Sequence, residues 1–471
     1  MTSPPAFAPH DVMERIFAPR AIAVVGVPRG MKTGRMFLEA LQKPGFRGEL
    51  YPINPNADEI LGLKAYPSID AIGSPVDLAI VVTPPAAAVS VVEDCGRSGV
   101  TGAVMFTAGF DELGTAEGAA LGAELRATAE RAGVRLIGPN CMGLYVPALG
   151  LAPFPNMPAE PGDIGFISQS GSLLSFFARD GVSRGFGISK AVSMGNQLDL
   201  EGADFVRYLA DDGDTKAIAM YVEGARDGRR LFEALRYATA RKPVVMWKSG
   251  RTEGGARAAR SHTGALAGSN ELWQAMSRQA GVIPAKTILE LADLVVALRG
   301  RFQPAGNRIA IVTGPGGPSI SATDAAEEAG LRLAELDGAT IERLGGEIAA
   351  VGTSPRNPVD VGLIMYGPMD IYARVTEIVG ADPNVDAVVV IGGRGSGDGA
   401  DQFAQQMAEA QEHNGKPVAL VQAAPAEEQL QRYVEAGIGV FPTAERAVHA
   451  FAAVAAHQAA RDGVSSPPRP A

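Results

Sequence analysis

Cysteine is scarce: Cys95 and Cys141 are the only two in 471 residues. Two thiols cannot build a disulfide framework or a thiolate metal site, so a reducing compartment is expected and no metal is assigned to this chain. Positive charge is in deficit, with 42 Lys and Arg against 52 Asp and Glu, a formal net charge of −10. An acidic surface repels a phosphate backbone, which argues against a nucleic-acid partner. Long apolar runs are missing as well. The most apolar stretch, residues 76–92, is interrupted by Asp77, Pro84 and Pro85 and cannot span a bilayer as one helix. Residues 1–10 lack the basic and apolar regions of a signal peptide. A soluble, cytoplasmic protein is expected.

What is present is core-forming. Hydrophobic residues make up 46% and charged residues 20%, as in an ordinary globular protein, and the length corresponds to about three domains. The 57 glycines suit many tight strand-to-helix turns. Short apolar runs alternate with alanine-rich helical stretches. Buried strands are predicted at 21–26, 49–54, 77–82, 102–107 and 134–138, again at 163–168, 190–195, 218–224 and 243–250, and again at 308–314, 387–393, 417–422 and 437–442. Continuous rather than alternating apolar runs point to parallel sheets covered on both faces, a doubly wound α/β arrangement. A proline-rich stretch at 147–161 and another break at 299–307 divide the chain into expected domains at 10–150, 160–300 and 305–460.

Three glycine-rich turns follow strands and open helices, where backbone amides and the helix dipole attract anions. The first runs from Gly26 to Gly34 and carries Arg29 and Lys32. The second is Ser168-Gln-Ser-Gly-Ser172, and the third runs from Thr313 to Ser319 with Gly316 and Gly317. A tight turn of an α/β fold is the bland reading of the first, and simple helix capping that of the second. The stretch 248–269 reads as a basic, glycine- and alanine-rich loop carrying Arg251, Arg257, Arg260 and then His262, one of five histidines. An imidazole titrating near neutrality can act as a nucleophile toward phosphorus, given a partner that fixes its tautomer. A surface histidine without chemistry is the competing reading. Glu223, at the end of a predicted strand, is the candidate partner, because the C-terminal ends of parallel strands share one sheet edge.

At these residues the chain resembles the α subunit of NDP-forming acyl-CoA synthetases of the ADP-forming acetate–CoA ligase type, relatives of succinyl-CoA synthetase. The resemblance spans roughly residues 10–455 and rests on YPINPNADEILGLKAYPSI (51–69), GPNCMGL (138–144), ISQSGSL (167–173), SMGNQLDLEGADF (193–205), YVEGARDGRR (221–230), WKSGRTEGGARAARSHTGALAGS (247–269), IVTGPGGPSISATDAAEEAGL (311–331) and NPVDVG (357–362). It implies a Rossmann-like CoA-binding domain followed by two flavodoxin-like domains of the succinyl-CoA synthetase kind. It also implies a reaction in which acyl-CoA and phosphate give acyl phosphate and CoA, a histidine takes the phosphoryl group, and ADP then receives it. The matching nucleophile is His262 and its orienting carboxylate Glu223. Ser170 and Gly171 match the family's phosphate site, and Gly316 and Gly317 a second helix start that receives the phosphohistidine. Gly26, Arg29, Lys32 and Gly34 fall near the CoA phosphates, with Asn54 and Pro55 in a second CoA-contacting turn and Thr83 and Pro84 in a third.

Two departures stand out. The first turn is about one residue shorter than the family pattern, with Pro28 at a position where small hydroxyl residues are common, and the third reads Gly-Pro-Gly-Gly rather than Asn-Ala-Gly-Gly. No segment resembles an ATP-grasp domain. ATP or ADP with Mg2+ is therefore expected on a separate β subunit in a hetero-oligomer. The alternative reading is a CoA-binding regulatory or scaffold protein without turnover. An NAD-dependent oxidoreductase fits poorly, since Asn54 stands where an acidic residue would bind ribose.

Overall fold

The computed structural model describes residues 7–30, 33–263, 268–299, 304–314, 316–362, 370–392, 400–423 and 425–465. The first sheet is assembled from β1 (Ala21–Val25), β2 (Glu49–Ile53), β5 (Leu78–Val81), β6 (Gly102–Met105) and β7 (Arg135–Ile137). A two-residue hairpin, β3 (Glu59–Ile60) and β4 (Leu63–Lys64), stands apart from it. The order is β2-β1-β5-β6-β7, with every pairing parallel. β1, β5 and β6 are buried along their whole length, and the reason is the period-two alternation of a strand covered on both faces. Ile22, Val24, Leu78 and Ile80 join one core with Phe37, Leu38 and Leu41 of the helix Thr33–Gln42. Their neighbours Ala23, Val25, Ala79 and Val81 join another with Val91, Val92 and Cys95 of the helix Pro85–Arg97.

The second sheet contains β8 (Gly143–Tyr145), β9 (Ile164–Ser168), β10 (Ile188–Ser193), β11 (Ala217–Val222), β12 (Val244–Lys248) and β13 (Ile283–Ala285), in the order β13-β12-β11-β9-β10-β8. Only β8 runs antiparallel, against β10, and it enters this sheet before residue 150. The two sheets share a core: Ile167, Val192, Phe205, Ile218 and Met220 belong to the same cluster as Val24 and Phe37. Hydrogen-bonded charge also ties them. Arg135 forms a two-pronged pair with Asp199 at 2.9 and 2.8 Å, and Asp204 accepts from Arg230 at 2.8 Å and from the Ala8 amide at 2.9 Å. Phe17 stacks on Tyr208 with centroids 4.8 Å apart. The described residues up to 182, with 186–288, accordingly form one compact unit.

The second compact unit comprises 183–185 and the described residues from 289 onward. Its sheet is built from β14 (Arg308–Thr313), β15 (Arg332–Leu333), β16 (Val359–Asp360), β17 (Ala387–Ile391), β18 (Val418–Val421) and β19 (Gly439–Phe441). The order is β15-β14-β17-β18-β19, with β16 paired to the end of β14. Almost all of the helix Ile288–Arg299 belongs here, clasped through Asp293 by Arg184 at 2.6 Å and by Arg446 at 2.7 and 2.6 Å. The helix Ile288–Arg299 thus precedes the break read from proline and glycine near residue 300, yet packs with the residues that follow it. Among the described residues, no helix is long and apolar enough to cross a membrane.

Candidate functional site

In an open parallel sheet, ligands bind beyond the strand C-termini where the strand order reverses. In the first sheet that point lies between β1 and β5. Gly26 follows β1 with φ +90°, and a Cβ there would stand 2.6 Å from the Thr83 Cγ2 that follows β5. Only glycine lets the two turns approach this closely. The Asn54 side chain, from the end of β2, donates to the Val27 carbonyl at 2.7 Å and holds the second turn against the first. Thr83 Oγ1 is buried with no hydrogen-bond partner among the described residues. Pro84 precedes the helix Pro85–Arg97, Arg29 is exposed, and Gly34 lies in the first turn of the helix Thr33–Gln42. Gly26, Asn54 and Thr83 thus meet at one crevice, with Pro55 adjoining Asn54. An orphaned hydroxyl, helix N-termini and an exposed guanidinium suit the phosphates of a CoA-like ligand. Lys32 lies outside the described residues.

The second sheet presents a matching edge. After β9 the chain turns at Gln169 and Ser170 into the helix Gly171–Ser183. The Ser170 hydroxyl accepts from the Leu173 amide at 3.4 Å, which leaves the Gly171 and Ser172 amides without an acceptor inside the helix. A Cβ on Gly171 would lie 2.1 Å from Met142 Cγ, so the close approach of the GPNCMGL segment demands glycine there. After β11 comes Glu223, only 4% exposed. The Tyr221 hydroxyl donates to Glu223 Oε1 at 3.1 Å, and burial is the main force holding that phenol up at about 12. Gln169 Oε1 accepts from the backbone amides of both Glu223 and Gly224, the latter at 3.0 Å, so the β9 turn fixes the β11 turn. Gln197, after β10, donates to the Gly224 carbonyl at 3.3 Å and accepts from the Gly202 amide at 2.9 Å.

Lys248 ends β12 beside this carboxylate. It is 7% exposed, donates to the Ser249 carbonyl and lies 5.2 Å from the centre of the Trp273 ring. Burial pushes its ammonium down to about 8; the Glu223 charge opposes that fall and Arg251 adds to it. The first sheet contributes too. Glu112, in the turn Asp111–Leu113, accepts from the Gly109 and Phe110 amides and from the Asn196 carboxamide at 2.5 Å. Donors on both oxygens fix the carboxylate in place.

The stretch read as a basic loop is corrected by the structure. Residues Glu253–Thr263 form a helix, which carries His262 and lies against the turn Asp111–Leu113. Thr252 is the reason: its hydroxyl accepts from the Gly255 amide at 3.1 Å, an N-cap that the glycines and small residues hid in the sequence. The side chains of 259–267, His262 among them, lie outside the described residues. In the other compact unit, Gly316 and Gly317 open the helix Gly316–Glu328 after β14, near Asp360 at the end of β16. Among the described residues, no group of three or more His, Cys, Asp or Glu could hold a metal ion.

Sequence reasoning singled out Ser170, Gly171 and Glu223 but assigned nothing to Gln169, Tyr221, Lys248 or Glu112. The first three stand within two residues or less of a strand end. Position at a parallel-strand C-terminus is the signal that could have found them.

Known proteins match this architecture. A CoA binding domain model matches residues 20–147, and a succinyl-CoA ligase like flavodoxin domain model matches 161–298. The chain is 38% identical over 444 residues to the α subunit of ADP-forming acetate–CoA ligase II from Pyrococcus furiosus, covering 92% of this chain and 95% of that one. It is 42% identical over 381 residues to ADP-forming acetate–CoA ligase I from Archaeoglobus fulgidus, where it spans 54% of the relative's length and 80% of its own. The solved structure of dinucleotide forming acetyl-coenzyme A synthetase 1 from Ca. Korarchaeum cryptofilum, in complex with phosphate and ADP, superposes with a TM-score of 0.83 at 34% identity, covering 96% of this chain and 98% of that one. Sheet order, turn chemistry and end-to-end similarity agree, and the chain belongs to the family of ADP-forming acetate–CoA ligase α subunits, within the succinyl-CoA synthetase-like ligases.

Proposed function

We propose that this chain is the α subunit of an ADP-forming acyl-CoA synthetase, an acid–thiol ligase that interconverts acyl-CoA, ADP and phosphate with carboxylic acid, CoA and ATP. The observation that carries this reading is one sheet edge. There the Gly171 helix start and the buried Glu223 follow the adjacent strands β9 and β11, the helix bearing His262 follows β12, and that helix and Asn196 both meet the Asp111–Leu113 turn after β6. We divide the chain into a CoA-binding domain at 10–150 and two further α/β domains at 160–300 and 305–460.

In the proposed sequence, CoA lies over Gly26, Arg29, Lys32, Gly34, Asn54, Pro55, Thr83 and Pro84. Phosphate at Ser170 and Gly171 attacks the thioester carbonyl; the C–S bond breaks, and CoA thiolate leaves with an acyl phosphate remaining. The imidazole of His262 then attacks phosphorus, the P–O bond to the acyl group breaks, and the carboxylate departs. Glu223 accepts a hydrogen bond from the far side of the imidazole, sets its tautomer and steadies the positive charge on the phosphorylated ring. Helix dipoles at Gly171 and at Gly316–Gly317 supply two places where a phosphoryl dianion is favoured, so transfer between them needs no new counter-ion. ADP and Mg2+ bind to an ATP-grasp β subunit, as the similarity to chains called subunit alpha supports.

The test is phosphorylation of the purified chain by a panel of acyl-CoAs with inorganic phosphate, and by acyl phosphates. Intact mass is read at alkaline pH, where phosphohistidine survives. One added phosphoryl group, absent from His262→Ala, is expected. No phosphorylation with any donor, even after addition of the nucleotide-binding subunit, refutes the proposal and favours a CoA-binding protein without turnover.

A further inference from the structure

Gln169 occupies the centre of the phosphate turn, between Ser168 and Ser170, and is 3% exposed. Its carboxamide oxygen is committed, accepting from the amides of Glu223 and Gly224. That pairing also settles the orientation of the group, since two N–H donors require the oxygen on that side. The nitrogen of the same carboxamide is buried with no hydrogen-bond partner among the described residues. A buried amide nitrogen is one of the more costly groups to leave unpaired, and such an exception in a folded protein calls for a ligand or a functional reason. Bonded to the same carbon as Oε1, this nitrogen cannot leave the sheet edge where the Gly171 helix start and Glu223 stand. The acceptor it lacks is an oxygen, and an anionic oxygen makes the stronger hydrogen bond.

We infer that Gln169 is a positioning residue that joins the phosphate site to Glu223: its Nε2 donates to an oxygen of the phosphate or acyl phosphate bound at Ser170 and Gly171, while its Oε1 holds the backbone of Glu223. This rests on the proposed reaction and adds a residue the phosphate site had not included. One planar group then touches the anion on one side and the orienting carboxylate's backbone on the other. Filling the phosphate site satisfies the donor and stiffens the turn that presents Glu223 to the histidine. Serine hydroxyls and helix amides bind an anion without reporting its arrival to β11; the Gln169 carboxamide does both.

Gln169→Glu tests this in the full-length chain. Glutamate keeps an oxygen for the Glu223 and Gly224 amides but sets a negative oxygen where Nε2 stood. Titration with inorganic phosphate, followed calorimetrically, is expected to show affinity at least about tenfold weaker in the variant, the size of one charge-assisted hydrogen bond lost. The urea midpoint stays within error of the wild type. Should the glutamate variant not fold, Gln169→Met, similar in volume but lacking both donor and acceptor, is expected to weaken phosphate binding by more than its lowered urea midpoint accounts for. Equal phosphate affinity in wild type and variant overturns the inference, as does failure of the wild type to bind phosphate. Loss of affinity that only parallels a lowered urea midpoint in both variants overturns it too, since the residue is then purely structural. His262 phosphorylation is scored on the same samples. Its absence from the wild type counts against the proposed reaction, whereas a phosphorylated wild type with unchanged affinity in Gln169→Glu counts against Gln169 alone.

Discussion

Gly26→Ala is the perturbation whose cost follows most directly from the structure. The residue has φ +90°, a region that costs an L side chain about 1–2 kcal/mol. The new Cβ would also stand 2.6 Å from Thr83 Cγ2 and 3.2 Å from the Thr83 amide. Relieving such an overlap typically costs another 1–3 kcal/mol or so, giving a total of about 2–5 kcal/mol. The two terms separate, because the nearest atom is a single methyl carbon. Thr83→Ser removes it and leaves the amide as nearest neighbour. On its own this substitution should cost roughly 1 kcal/mol for the lost methyl. In the Gly26→Ala background it should instead recover about 1–3 kcal/mol, a coupling well above the ~0.5 kcal/mol expected of independent sites. Urea unfolding followed by tryptophan fluorescence is the assay. Both tryptophans, Trp247 and Trp273, belong to the compact unit that contains Gly26, so the signal reports that unit. A coupling energy near zero would refute the reasoning, by showing that backbone conformation alone limits residue 26.

Other outcomes follow from buried charge. Asp204→Asn should destabilise the first compact unit by about 3 kcal/mol in urea, because it strips Arg230 of the carboxylate at 2.8 Å and leaves Glu201 at 3.6 Å. Lys248 has an ammonium near 8 in the folded chain against an ordinary 10.5. Between those pH values the unfolded chain binds more protons, so stability relative to Lys248→Met should rise as pH climbs through that window and fall as pH drops back through it, levelling off below 8. Thermal melts of both chains from pH 7 to 10 check this; parallel curves would refute it. Glu223→Gln, nearly isosteric, should lower the rate of His262 phosphorylation by at least about tenfold with little change in thermal midpoint, measured by quenched-flow labelling with acyl phosphate.

Much of the fold was legible because its signals are local. The run Ala21–Val25 is apolar at every position, and such a run belongs to a strand covered on both faces; the observed sheet buries all five residues. The same holds for Ala217–Val222 and Ala387–Ile391. Shorter strands escaped. Gly143–Tyr145 and Val359–Asp360 carry too few residues for a period to register, and their pairing depends on partners far along the chain. The helix Glu253–Thr263 escaped for another reason: its cap is one threonine hydroxyl, and its glycines lower helix propensity until packing against Asp111–Leu113 offsets them.

The candidate site divides along the same line. Turn chemistry and strand ends are sequence properties, so Ser170, Gly171, Glu223 and Gly26 could be singled out without a structure, whereas Thr83 came from the family resemblance. Whether two such turns meet is a matter of sheet order, which no local pattern encodes. Tertiary structure alone decided that β9 lies beside β11, so that Gln169 reaches the Glu223 and Gly224 amides. It decided that Glu112 of one sheet meets Asn196 of the other. It also buried Lys248 beside Glu223, and burial is what moves that ammonium toward neutrality. The sequence by itself determined which groups stand at the strand ends, because covalent order and local periodicity suffice for that. Their distances, partners and protonation arise only when residues tens of positions apart share one core and one low-dielectric edge.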